Sequence, residues 1–301
     1  MVNNALPETE REWKEAARKY KVKNQNLCMN LKLHSASRVS YKQFLLFRTI
    51  LPSIVPPQQL NNQTLGIAPL IGQAKQLLSD VAFQDYILDV STRQIQGTWS
   101  AAWGGNDRLF RVPAIQQQQV IRDELRDERC EASVNTSIVS FLQAIAELVP
   151  QSGRQWTADR IKLIADFSTR RRNRQFVAYT DGQLEDTASR RPLALIECKR
   201  SRRDDHSPDV DMQEVAQMVA WVKQHPGVPG NDKRVLVSQD GTDIYISVLQ
   251  YDPGWFRYLQ GGRGSIVHAG FAYMHRYGPW NIWVAQQMEH FAQVILALLF
   301  L

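Results

Sequence analysis

Phe176 to Arg203 reads FVAYTDGQLEDTASRRPLALIECKRSRR: an apolar segment, a polar interval, and a second apolar run that ends abruptly in charge. The second run, Leu193-Ala194-Leu195-Ile196, passes straight into Glu197-Cys198-Lys199-Arg200. Side chains on a strand alternate between faces, so Glu197 and Lys199 share one face and Cys198 enters the opposite layer. A carboxylate at the end of an apolar strand is costly unless a cation or charged partner meets it, and Lys199 is such a partner. Upstream, Thr180-Asp181-Gly182 closes the segment Gln175–Tyr179, and Leu184 to Pro192 reads as a polar turn. That single connection brings Asp181 to the Glu197 strand. Two carboxylates on adjacent strands suit a hard cation, Mg2+ or Mn2+, which keeps several waters and completes its shell from a phosphate. Lys199 would then orient or deprotonate an attacking water.

This pattern of an aspartate followed by Glu-x-Lys resembles the active site of the PD-(D/E)xK nuclease superfamily, with Thr180 standing where the family name has proline. The longer string from Phe176 to Arg203 looks like uncharacterised fungal nuclease-like proteins, and the resemblance spans residues 125–255 or so. It implies a restriction-endonuclease-like core in α-β-β-β-α-β order, an α/β class with a mixed central sheet flanked by helices. The activity implied is metal-dependent phosphodiester hydrolysis of nucleic acid, with DNA favoured over RNA and the two not distinguished by the sequence. In this superfamily a glutamate on the helix before the first strand often reaches the metal, and a glutamine or glutamate on the later helix faces the scissile phosphate. Glu131 and Gln217 match those positions; Glu124 and Glu128 compete with Glu131. Some fungal relatives carry their first metal-binding aspartate in a valine-aspartate-phenylalanine context, similar to Ala165-Asp166-Phe167, which keeps Asp166 in reserve behind Asp181. A rival of another class is a nucleic-acid-binding or protein-interaction module on the same fold without turnover, toxin-like or host-targeting.

The flanking segments carry their own periodicities. From Asp127 to Leu148 the apolar residues Val134, Ile138, Phe141, Leu142, Ile145 and Leu148 fall at helical spacing, and Glu131 extends their stripe toward the core. Asp209 to Val222 repeats the pattern through Val215, Met218, Val219 and Val222, with Glu214 and Gln217 as a polar pair. Ile161–Phe167, Gln175–Tyr179 and Leu193–Lys199 read as three strands, and Arg234–Val237 and Ile244–Leu249 as two more around the hairpin signal Asp240-Gly241. The expected division is a mainly helical region over 1–105, a cap or partner-binding unit, and a nuclease-like domain over 106–301. Within the first part, Leu6–Tyr20, Tyr41–Ile50 and Gln73–Asp89 read as helices.

Charge favours a polyanionic partner. The chain holds 36 Lys+Arg against 30 Asp+Glu, a net charge of +6, and its arginines cluster. Arg170, Arg171, Arg172 and Arg174 occupy one loop, and Arg200, Arg202 and Arg203 follow Lys199, so all seven are candidate nucleic-acid contacts. About six phosphate contacts would lose roughly a thousandfold in affinity between low and moderate salt. The odd set of widely spaced cysteines, Cys28, Cys130 and Cys198, argues against a disulfide framework or zinc ribbon and for a reducing compartment. The charged first twenty residues give no secretory signal, so the expected setting is intracellular, nucleus or cytoplasm. The apolar finish Val294–Leu301 is too short to span a bilayer and reads as a terminal helix closing the core. No phosphate-cradling glycine loop with lysine occurs, which excludes P-loop chemistry. Oligomeric state is not readable.

Overall fold

Residues 5–29, 32–96, 109–170, 172–226, 233–261, 266 and 269–301 are described by the computed structural model. The chain enters through α1 (Glu10–Lys19), which begins at Glu10 rather than Leu6 because the Thr9 hydroxyl caps it, accepting from Glu12 N at 3.2 Å. α2 (Tyr41–Leu46) is shorter than the periodicity predicts. Arg48 turns left-handed at φ 51°, and Thr49–Ile50 leaves the helix to form β1. Four helices follow: α3 (Asn62–Leu65), α4 (Ile71–Leu77), α5 (Val81–Gln96) and α6 (Arg111–Leu125). The expected helix over Gln73–Asp89 is therefore two, interrupted where Asp80 accepts from Ala82 N and restarts the chain as α5.

Then come α7 (Glu131–Glu147), β2 (Arg154–Thr157), β3 (Lys162–Asp166), β4 (Gln175–Tyr179), β5 (Gly182–Asp186), β6 (Pro192–Lys199), α8 (Asp209–Gln224), β7 (Lys233–Asp240), β8 (Asp243–Tyr251), α9 (Pro253–Gln260), β9 (Ala272–Asn281) and α10 (Ala285–Leu298). Seven strands form one mixed sheet in the order β1-β9-β8-β7-β6-β5-β2, in which β6/β7 and β1/β9 are parallel and the other pairs antiparallel. The protein is thus α/β, with helices on both faces of a mixed sheet and a mainly helical N-terminal region.

The order helix, three strands, helix, strand is present as α7, β2, β5, β6, α8, β7, but two of its strands are not those read from the sequence. β3 and β4 pair only with each other, in a two-stranded ribbon. Their place beside β6 belongs to β5, and the interval expected to be one polar turn from Leu184 to Pro192 is strand as far as Asp186. β5 hides from hydrophobic periodicity because its inward positions are polar and converge on the Glu185 carboxylate. Gln183 Nε2 donates to Glu185 Oε2 at 2.9 Å, Gln155 Nε2 to Glu185 Oε1 at 2.7 Å, and Arg190 forms an ion pair with the same carboxylate.

Two cores lie on the two faces of the sheet. Ala194, Ile196 and Cys198 of β6 join α7 and α10 in one, while Leu195 joins α8 in the other. The expected alternation therefore holds, with Cys198 buried opposite Glu197. The N-terminal region feeds both: Trp13, Phe44 and Leu45 pack on the α8 side, Ile67, Phe83 and Tyr86 on the α7 side. The expected boundary at 105/106 lies outside the described residues. α10 buries Phe291, Val294, Ile295 and Leu298 and closes its core as expected, and no helix among the described residues is long and apolar enough to cross a membrane.

Candidate functional site

β6 delivers Glu197 and Lys199 to the α8 face, and the local fold then surrounds the carboxylate with donors. Lys199 Nζ and Gln213 Nε2 donate to Glu197 Oε1, and Gln217 Nε2 donates to Oε2 and also, at 2.8 Å, to the Tyr179 carbonyl. Gln213 and Gln217 stand one helical turn apart on α8, so both reach the same strand position. Gln217 is the residue the sequence indicated; Gln213 was not, although the spacing of the two glutamines on one helix face was available. Glu214, read as the partner of Gln217, instead faces Arg203.

Asp181 sits where β4 gives way to β5. Its backbone N–H donates to the Ile196 carbonyl at 2.9 Å, and its Oδ2 accepts from Cys198 N at 3.0 Å, so the residue holds β6 on either side of Glu197, with its side chain at the Cys198 end. Gly182 permits this approach, since a Cβ there would stand 2.5 Å from the Thr157 carbonyl oxygen. Asn135 of α7 donates to the Asp181 carbonyl at 3.1 Å, and Arg160, which no sequence pattern marked, sets its guanidinium 3.4 Å from Oδ1.

Burial pushes the Glu197 carboxyl up to about 8; Lys199 opposes this and the charge of Asp181 adds to it. Lys199 is raised as well: burial alone would lower it, but Glu197 more than reverses that, with further contributions from Glu131 and Asp181. Glu131, Asp181 and Glu197 thus all act on one ammonium. Burial, together with Asp181 and Glu197, pushes the Cys198 thiol upward, which keeps it neutral and removes it as a nucleophile.

Other expectations are revised. Glu131 opens α7 but is exposed rather than core-facing, as the first turn of a helix favours for an acid. Asp166 ends β3 exposed, at the far end of the ribbon, and accepts from Ser168 N at 2.8 Å. Arg170 and Arg172 are exposed and Arg174 half-buried beyond that same end; Arg171 lies outside the described residues. Four residues of β4 separate this tip from Tyr179, roughly 13 Å of strand, so the arginine loop does not flank the carboxylates. Arg200 is exposed, and Arg202 is exposed but paired with Glu124 at 2.9 Å. Arg203 is removed from the candidate nucleic-acid contacts: it is 2% exposed and enclosed by Asp211, Glu214 and Asp240.

Among the described residues no group of three or more His, Cys, Asp and Glu side chains is placed to hold a metal alone. A Mg2+-type ion does not require one, because it binds through one or two carboxylates and keeps its waters. Two features suit such an ion. Glu197 is a buried carboxylate whose charge is under-compensated, and Gln217 Oε1, buried beside it, has no hydrogen-bond partner among the described residues and could accept from a coordinated water.

A pH dependence follows from the raised carboxyl. Glu197 releases its proton near pH 8 when folded and near its ordinary 4.5 when unfolded, so between these values the folded state holds the extra proton and stability falls as pH rises. In metal-free buffer the parent should lose on the order of 2 kcal/mol more than Glu197→Gln between pH 6 and pH 9, measured by urea unfolding of both. Parallel curves for the two proteins would contradict the raised carboxyl.

No family model matches the chain, and no curated protein matches it.

Proposed function

We propose that the protein is a metal-dependent nuclease that hydrolyses phosphodiester bonds, with DNA as its substrate and an intracellular setting. The observation that carries this reading is the convergence of Asp181 and Glu197 on β6, with Lys199 on the same strand face as Glu197. Asp181 and Glu197 would hold Mg2+ or Mn2+, with Glu131, exposed at the start of α7, close enough for its charge to act on Lys199. A bound ion supplies acidification of water and neutralisation of charge on the phosphate. Gln213 and Gln217 fix the Glu197 carboxylate from α8, so its oxygens stay oriented without cost at the moment of reaction. Lys199, half-buried and held as an ammonium by Glu197, orients the attacking water and offers a proton donor to the charge that develops on the phosphate. Arg160 and Arg200, both exposed, are the cations best placed by sequence and contact to meet the backbone beside the site.

The test is incubation of the purified chain with supercoiled, linear and single-stranded DNA and with RNA, in Mg2+, Mn2+ or EDTA. Cutting of DNA in metal and none in EDTA is expected. Binding without cutting under every metal condition would sink the catalytic reading and leave a nucleic-acid-binding module on this fold.

A further inference from the structure

On the opposite face of the sheet from Glu197, and at the other end of β6, five side chains lie in one row across five strands. Trp156, Leu184, Ala194, Val235 and Val248 are successive register partners on β2, β5, β6, β7 and β8. They form an apolar floor. Leu65 and Gly66 at the end of α3 and Leu298 of α10 stand over it, and the space enclosed is a cavity of about 540 Å3. That falls within the range of roughly 300–1,000 Å3 usual for small-molecule sites. Ala194, in the centre of the row, is the small side chain that leaves the space.

The cavity is apolar except at one rim. Arg154 and Lys233 stand two residues along β2 and β7 from Trp156 and Val235, and the period of two puts them on the same face as the floor. Both line the cavity. Arg154 Nη1 donates to the carbonyls of Leu298 at 3.3 Å and Leu299 at 2.9 Å, which fixes the guanidinium at the end of α10. Lys233 Nζ donates to the Thr64 carbonyl, and an ammonium has three protons to give. Asp186, the register partner of Arg154, feels its charge, yet among the described residues neither cation has a carboxylate oxygen within 4.0 Å. A second observation is independent of charge. Trp156 is 2% exposed and lines the cavity, and its indole N–H has no hydrogen-bond partner among the described residues. A buried tryptophan N–H normally finds an acceptor.

We infer that this cavity binds a medium-chain fatty acid, its hydrocarbon on the five-residue floor and its carboxylate at Arg154 and Lys233, with the Trp156 N–H as a further donor. A neutral hydrocarbon would leave both cations without a counter-anion and the indole without an acceptor, and a polar anion without a tail would leave the floor wet. The site shares no residue with the proposed nuclease centre.

Calorimetry of the full chain with decanoate and with decanol separates these chemistries. Expected are one decanoate per chain, at least tenfold weaker binding of decanol, and a tenfold or greater loss of decanoate affinity in Arg154→Gln/Lys233→Gln with decanol unchanged. Ala194→Leu, which fills the middle of the floor, should abolish binding of both while circular dichroism and Tm match the parent. The comparison of the two ligands on the parent needs no variant to fold. Equal affinity for decanol and decanoate, no saturable decanoate binding, several decanoates per chain, or a double variant that binds decanoate as the parent does would each overturn the assignment.

Discussion

Arg203→Met is expected to destabilise the protein by about 3–5 kcal/mol, because it strands buried carboxylates rather than merely deleting a contact. The guanidinium is 2% exposed and its donors are all engaged: Nε with Asp240 at 2.7 Å, Nη1 with Asp211 at 2.9 Å and Glu214 at 3.2 Å, and Nη2 with Glu214 and with Ser238 Oγ at 2.9 Å. One face lies 4.4 Å from the Tyr245 ring centroid. Burial would lower the Arg203 pKa, but Glu214 and Asp240 raise it well above its ordinary value, so it stays charged at any working pH. Even with this cation present, burial pushes Asp240 up to about 7. Without it, Arg276, bound to Asp211 at 2.7 Å, is the cation left in direct contact with the cluster among the described residues, with Lys199 acting on Asp240 through its charge alone. Arg203→Lys should recover only part of the loss, since an ammonium cannot match the planar fork. The deficit should shrink as pH falls toward 5 and the stranded carboxylates take up protons. Urea unfolding at pH 5 and pH 7.5 measures both effects. A loss of less than 1 kcal/mol at pH 7.5 would mean the cluster is held mainly by packing.

Arg202 and Arg203 show what a charge cluster conceals. In sequence they are adjacent and equivalent; in the fold one is exposed and paired with Glu124 while the other anchors the interior. What turns Arg203 inward is the arrival of acids from α8 and β7, eight and thirty-seven residues further along the chain. No local pattern encodes that. Glu197 and Lys199 were legible because strand alternation acts over two residues, and α8 because its apolar face repeats over four turns. Asp181 was legible as a partner for Glu197, though for an incomplete reason. It approaches β6 not from the end of an adjacent strand β4 but from the start of β5, a strand with one buried aliphatic residue, Leu184. β2 is similarly opaque, with Trp156 its only large apolar residue. Strands that carry polar side chains into the interior show no hydrophobic period, and the strands that did carry one, β3 and β4, were read as the neighbours of β6 in their place. β9 was missed for another reason. Gly278-Pro279 breaks its pattern, although the strand needs that glycine where a Cβ would meet Tyr245 and the Ile244 carbonyl.

Lys199→Met is expected to cut the rate of the proposed DNA cleavage by about a hundredfold or more, the usual contribution of a positioned donor that stabilises charge developing in the transition state. The fold should tolerate the change. Lys199 closes β6 with its side chain 17% exposed, and methionine keeps the apolar stem that packs at the strand end. Glu197, left without the ammonium, still accepts from Gln213 and Gln217 and can take up a proton, since burial already holds its carboxyl near 8. Glu197→Gln should fail differently. It keeps the shape but loses the anionic oxygens that would hold the ion, so Mn2+ affinity as well as cleavage should collapse. The two substitutions therefore separate the two roles: calorimetry with Mn2+ should find binding abolished in Glu197→Gln and retained within about threefold in Lys199→Met, while both are inactive on supercoiled DNA. Asp181→Asn should resemble Glu197→Gln, weakened in metal binding, although the Asn side-chain oxygen can still accept from Cys198 N and preserve the turn. If Lys199→Met cleaves within threefold of the parent, the lysine does no more than balance the charge of Glu197, and water activation must be sought elsewhere in the site. If it loses Mn2+ together with activity, the lysine acts through the carboxylate it holds in place rather than on the water.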